Sequence, residues 1–290
     1  MTPLRSKHFA EAIALLDPFI AAHPKDGKAL ILRGDCKSEM GDEHAALVDY
    51  NAGIAAAPEY QYGYVTRCQT RYNLDDDEGA LRDCEMAVKL DPKDGRAYEA
   101  RADVYFDRDA YSAALQDYNA AIDLGQASAY DYAARCDTER VLNVLDGAAT
   151  DCKKSQELDP DLIRGLWASG RLALSTKRYD NAVTFFTQYI ARKDDTKVGY
   201  YYRGLTYNRN REYPAALADL EKYVGLAPGD ADGYRERAVA LYNTGDKAGA
   251  IADLTKAVEL YKRDGDGDSA AAASKALEDA KAGRPIASAG

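Results

Sequence analysis

Apolar residues in the stretch Gln61–Asp94 fall at the fourth and eighth places, then at the twentieth, twenty-first, twenty-fourth, twenty-seventh and twenty-eighth. Both sets have the spacing that lays one stripe along an α-helix. Between them lies the acidic run Asp75-Asp76-Asp77-Glu78, and after them comes Leu90-Asp91-Pro92. The pattern predicts two helices of about a dozen residues joined by a tight turn. Pro92 ends the second helix, because proline has no N–H to give and its ring clashes with the preceding turn.

The pattern returns every 34 residues. Tyr64 maps onto Tyr98, Tyr132, Tyr200 and Tyr234, and Pro92 onto Pro24, Pro58, Pro160 and Pro228. Ala80 maps onto Ala12, Ala46, Ala114, Ala148, Ala182, Ala216 and Ala250. This frame predicts a half repeat or cap over 1–26 and seven tandem repeats over 27–60, 61–94, 95–128, 129–162, 163–196, 197–230 and 231–264. In three repeats Gln126, Asp194 and Lys262 stand where Pro would be, so the turn there must rest on other residues. Over 265–290 we expect a closing helix capped by Asp268 or Ser269, then a flexible tail, GRPIASAG.

A 34-residue period with an early aromatic, a small residue at the eighth place, Ala at the twentieth and Pro at the thirty-second resembles the tetratricopeptide repeat family. The resemblance implies an all-α fold, a right-handed α-solenoid of helix-turn-helix repeats. It also implies a protein–protein interaction scaffold that holds a partner peptide or helix in a groove lined by first-helix positions two, five, six, nine, twelve and thirteen. A self-associating solenoid module is the alternative. The carboxylate clamp of some relatives needs Lys at position five and Asn at position nine of one repeat, and no repeat here has both.

On the groove positions the hot spot is expected at Trp167, Arg171, Tyr201 and Tyr202, with Arg164 and Arg209 at the rim. Trp, Tyr and Arg are the residue types most enriched where binding energy concentrates. Tyr201 shares Trp167's column and is expected as its neighbour. Charge is uneven along this face. Asp35, Glu39, Glu99, Asp103, Asp107 and Asp137 stand against Lys28, Arg96 and Arg140 in the first four repeats. Arg164, Arg171, Arg209 and Arg235 stand against Asp232 and Glu236 in the last three.

Two column pairs covary within the chain. Position seven is Arg33, Arg67, Arg101, Arg135, Arg203 and Arg237 where position twenty-three is Asp49, Asp83, Asp117, Asp151, Asp219 and Asp253. The fifth repeat has Ser169 and Phe185 instead. An Arg–Asp bridge between the two helices of a repeat explains the covariation, since the guanidinium fork meets a carboxylate at two points. Cys68 with Cys84, and Cys136 with Cys152, occupy positions eight and twenty-four. Two readings stand: medium side chains packed opposite each other, or disulfides implying an oxidising compartment. Cys36 is left over.

The formal charge of −10 argues against nucleic acid and anionic membrane as partners, and no apolar run reaches the roughly 18 residues of a membrane span. Without an apolar stretch of signal-peptide type in the first residues, the expected location is cytoplasmic, with a periplasmic or secreted protein as the alternative. Asp264, Asp266 and Asp268 have the spacing of three calcium ligands, but Ser269 and Lys275 stand where the loop needs Gly and Glu, so a solvated turn is expected. No catalytic set, phosphate loop, metal site or cofactor motif is apparent, and the chain is not expected to be an enzyme.

Overall fold

The computed structural model describes residues 3–125, 127–193 and 196–288. The chain is all-α, with no strand among the described residues, and divides into two compact units, 1–144 and 145–290. The first holds α1 (Pro3–Ala22), α2 (Gly27–Glu39), α3 (Glu43–Ala56), α4 (Gln61–Asn73), α5 (Asp77–Leu90), α6 (Gly95–Asp107), α7 (Tyr111–Asp123) and α8 (Ala129–Val141). The second holds α9 (Leu145–Leu158), α10 (Ile163–Ser175), α11 (Tyr179–Arg192), α12 (Lys197–Arg209), α13 (Tyr213–Leu226), α14 (Ala231–Thr244), α15 (Lys247–Arg263) and α16 (Gly267–Lys281). Within each unit consecutive helices pack antiparallel as a solenoid. The first helices of repeats also pack on one another, α2 on α4, α4 on α6 and α6 on α8 in one unit, α12 on α14 in the other.

One backbone device makes every tight turn. Gly41, Asp75, Asp109, Asn143, Lys177, Arg211 and Gly245, spaced 34 residues apart, all have positive φ. The next residue then sends its N–H back five places, as Asp76 does to the Arg71 carbonyl at 2.9 Å and Arg178 to that of Ala173 at 2.8 Å. A left-handed residue followed by this bond is the Schellman way of satisfying the last carbonyls of a helix. Asp42, Asp76 and Asp246 then serve twice, because each side chain also caps the following helix.

The small-against-large rule at positions eight and twenty-four is steric. A Cβ on Gly34 would lie 2.6 Å from the Tyr50 ring, and one on Gly170 would lie 2.7 Å from Phe186. Ala46, Ala80, Ala114, Ala182, Ala216 and Ala250 are fully buried where the helices of a pair approach. Cys68 and Cys84 take the medium-with-medium solution covalently, as a disulfide with an S–S distance of 2.01 Å. Cys136 and Cys152, and likewise Arg135 and Asp151, fall on opposite sides of the division between units, and their pairing stands as an expectation.

The C-terminal segment adds three details. Asp266, not Asp268 or Ser269, caps α16, accepting the Ser269 N–H at 3.0 Å. In the tail beyond α16, Ile286 is 7% exposed in a cluster with Val239, Leu254 and Ala280, and Ser288 donates to Glu236. An isoleucine in a polar tail gains too much from burial to stay in water. Where Lys262 replaces Pro, α15 simply continues to Arg263. Gln126 and Asp194 lie outside the described residues.

Candidate partner-binding face

The bridges that hold the hairpins come first, because they set the helices on which the site stands. Arg101 donates through Nε and Nη2 to the two oxygens of Asp117 at 2.7 and 2.9 Å. Arg33–Asp49, Arg67–Asp83, Arg203–Asp219 and Arg237–Asp253 repeat this forked geometry. Each carboxylate is buried. The third guanidinium nitrogen often reaches back one repeat: Arg33 to Asp17 at 2.8 Å, Arg67 to Asn51 and Arg203 to Thr187, both at 2.9 Å. The bridge therefore ties neighbouring repeats as well as the two helices of one. Burial pushes the Asp49 carboxyl up, but hydrogen bonds from Arg33 and Lys37 overcome it and leave it below the usual range.

In the second unit Trp167 and Arg171 lie one turn apart on α10, facing Tyr202 on α12. The Tyr202 ring meets Trp167 edge-on, with centroids 4.9 Å apart. The Arg171 guanidinium lies 5.6 Å from each of these two rings. Behind them, Tyr189 and Phe186 stand 5.2 and 5.9 Å from Trp167. Tyr202, not Tyr201, is thus the ring seated on Trp167; Tyr201 packs on Tyr202 and on Tyr223, at 5.2 and 5.0 Å. Sharing a column does not make two rings neighbours, since the column fixes a place along each helix and not which side chain of the next repeat reaches across. Burial raises the Tyr201 phenol well above its ordinary value. Trp167, Arg171, Tyr201, Tyr202, Arg164 and Arg209 are all half-buried, with Arg164 near the start of α10 and Arg209 ending α12. Trp167 is also part of the packing, because it rests on fully buried Phe186. Glu236, read from sequence as a face residue, is 1% exposed and accepts from Asn208 Nδ2 at 3.1 Å.

The first unit carries a feature that the sequence reading missed. Asp35 accepts hydroxyl hydrogen bonds from Tyr50 at 2.9 Å and Tyr62 at 3.1 Å. Asp103 accepts from Tyr118 at 2.6 Å and Tyr130 at 2.7 Å in the same geometry. Both carboxylates line a cavity of about 410 Å³ together with Glu39, Glu99 and Tyr72. Burial raises the Asp35 carboxyl, partly offset by the two hydroxyls, and Glu39 adds to the rise. The signal was present as Asp at position nine with Tyr at position twenty-four and Tyr at position two of the next repeat. It occurs only in the first and third repeats, which hid it from a 34-residue register. Asp137 is met by Arg140 Nε at 2.7 Å.

Asp264 pairs with Arg263 and Asp266 caps α16, so these acids have structural partners. No cluster of three metal-ligating side chains occurs among the described residues, and no helix there is long and apolar enough to cross a membrane.

Sequence profiles of the tetratricopeptide repeat match residues 71–131 and 204–278. No curated protein matches the chain. Among solved structures, a chain of the APC/C hetero-tetramer Cut9-Hcn1 superposes with a TM-score of 0.77 at 16% identity, over 94% of this chain and 52% of that one. The present chain therefore spans about half that protein's length. A tetratricopeptide repeat protein from Parabacteroides merdae gives a TM-score of 0.60 at 19% identity, over 88% of this chain and 99% of that one. Pseudomonas aeruginosa pilF gives 0.60 at 16% identity, over 70% and 92%. Identities this low speak to fold alone.

Proposed function

We propose that this chain, a member of the tetratricopeptide repeat family, is a non-enzymatic scaffold that holds an extended or helical segment of a protein partner. The segment lies on Trp167, Arg171, Tyr201 and Tyr202 of the second unit, with Arg164 and Arg209 at the rim. The observation that carries this reading is the Arg171 guanidinium held 5.6 Å from two rings at once. An Arg–Trp–Tyr platform of this kind is already assembled, so little side-chain freedom remains to be lost on binding.

Trp167 is the only tryptophan, so its emission reports the face directly. A partner captured from native lysate by the intact chain should shift or quench it at saturation. Arg171→Ala should weaken that partner by about 2 kcal/mol. Trp167→Ala should lose affinity and stability together, because it removes a ring packed on Phe186. Unchanged emission together with full affinity in the Arg171→Ala variant would move the site to the acidic cavity of the first unit.

Self-association is the second reading, favoured by Leu15 and Phe19 on α1, which are 76% and 45% exposed. A mass that rises with concentration in sedimentation would support it. The Cys68–Cys84 bridge favours an oxidising compartment over the cytoplasm as the place of work.

A further inference from the structure

The fifth repeat gave up the Arg–Asp bridge, and the space was not refilled. Ser169 and Phe185 stand in the two columns, and a cavity of about 270 Å³ opens between α9, α10 and α11. Ser169 lines it and is 4% exposed, yet its hydroxyl has no hydrogen-bond partner. The side-chain Nε2 of Gln156, which also lines it, is buried and equally without a partner. Gln156 fits there because position 165 is glycine; a Cβ on Gly165 would come within 3.0 Å of that nitrogen. Buried polar groups are normally satisfied, and two unsatisfied ones in the same small cavity call for an explanation.

The lining says what would satisfy them. Both groups can donate. The charged side chains on the lining are Lys153 and Arg178, both exposed at its mouth, and no carboxylate lines it. The exposed Lys153–Glu157 pair at 3.8 Å does little to neutralise the lysine. The walls are Leu172, Ala173 and Phe185. At this volume the cavity lies just under the range of drug-sized sites.

We propose that the cavity between α9, α10 and α11 binds a small carboxylate with a compact apolar body. The carboxylate accepts from Ser169 Oγ and Gln156 Nε2 and faces Lys153 and Arg178, while the apolar body lies on Leu172, Ala173 and Phe185. Ser169 is two residues beyond Trp167, which turns it to another side of α10, so this site is separate from the partner-binding face. The carboxylate comes either from a free acid or from the end of a peptide.

Calorimetry on the full chain tests it, with benzoate and 4-methylpentanoate against benzamide and 4-methylpentanamide. The acids should bind about tenfold more tightly than the amides. The double variant Lys153→Gln/Arg178→Gln should remove that advantage. Ser169→Arg/Phe185→Asp, which restores the bridge of the other repeats, should abolish binding of both. In the wild type, the Gln156 side-chain amide resonances should move on saturation with acid, an outcome that does not depend on any variant folding. N-acetyl-leucine binding more tightly than 4-methylpentanoate would identify a peptide end as the source; the reverse order would identify a free acid. Equal binding of acid and amide, no saturable heat at millimolar acid, or an unmoved Gln156 amide would each overturn the proposal.

Discussion

Asp117→Ala is the sharpest test of what holds the hairpins. Asp117 is 6% exposed and takes two hydrogen bonds from Arg101, whose side chain is 19% exposed. Removing one partner of a buried ion pair costs about 3–5 kcal/mol, because the other charge stays behind without compensation. Arg101 can still reach some water, which places the expected loss near the lower end, about 3 kcal/mol. Arg101→Ser/Asp117→Phe, the pair that the fifth repeat uses, removes both charges and should cost about 1 kcal/mol. Urea unfolding followed by circular dichroism reads the difference, with exposed Asp123→Ala as the control. If Asp117→Ala shifts the midpoint no more than Asp123→Ala does, the bridge is decorative. If the double variant is as unstable as the single one, the loss belongs to packing and not to the stranded guanidinium.

Three further outcomes follow from the geometry. Lys177 and Arg211 hold left-handed backbone that costs an L-residue about 1–2 kcal/mol, so Lys177→Gly and Arg211→Gly should raise the melting temperature slightly, while Gly245→Ala, at φ 101°, should lower it. Burial raises the Asp35 carboxyl, so its stabilising contribution is full below its unfolded pKa of about 3.9 and is lost as pH rises through the higher folded value. Asp35→Asn should therefore gain on the wild type as pH climbs from 3 to 7, and a pH-independent difference would refute that assignment. Thiol titration of unfolded, unreduced protein from its native compartment should find Cys36 alone, and five free thiols would remove both bridges.

The hairpins and the forked bridges were legible in the linear order because each is a local event repeated. Ala at position twenty and the Arg and Asp columns are 34-residue echoes of contacts between residues 16 apart, such as Arg33 and Asp49. A bond of that range within one hairpin leaves its mark at a constant spacing. The left-handed residue of each turn escaped notice, since only Gly41 and Gly245 declare it; the Asp, Asn, Lys and Arg that stand there elsewhere are ordinary in any exposed turn.

What the linear order could not decide is how side chains from successive repeats meet. Trp167 and Tyr201 share a column, yet the ring on Trp167 is Tyr202, because which side chain of the next repeat reaches across depends on how the helices pack. Glu236 and Ile286 read as surface and tail until Ser288 and the α14–α15 core enclose them. The Ser169 substitution was visible, but whether its neighbours would close over the lost arginine was a question of volume. Periodicity alone determined the helices, their order and their buried faces. Tertiary packing decided which rings touch, which charges lose water and where space remains, because those depend on distances between residues that no fixed spacing connects.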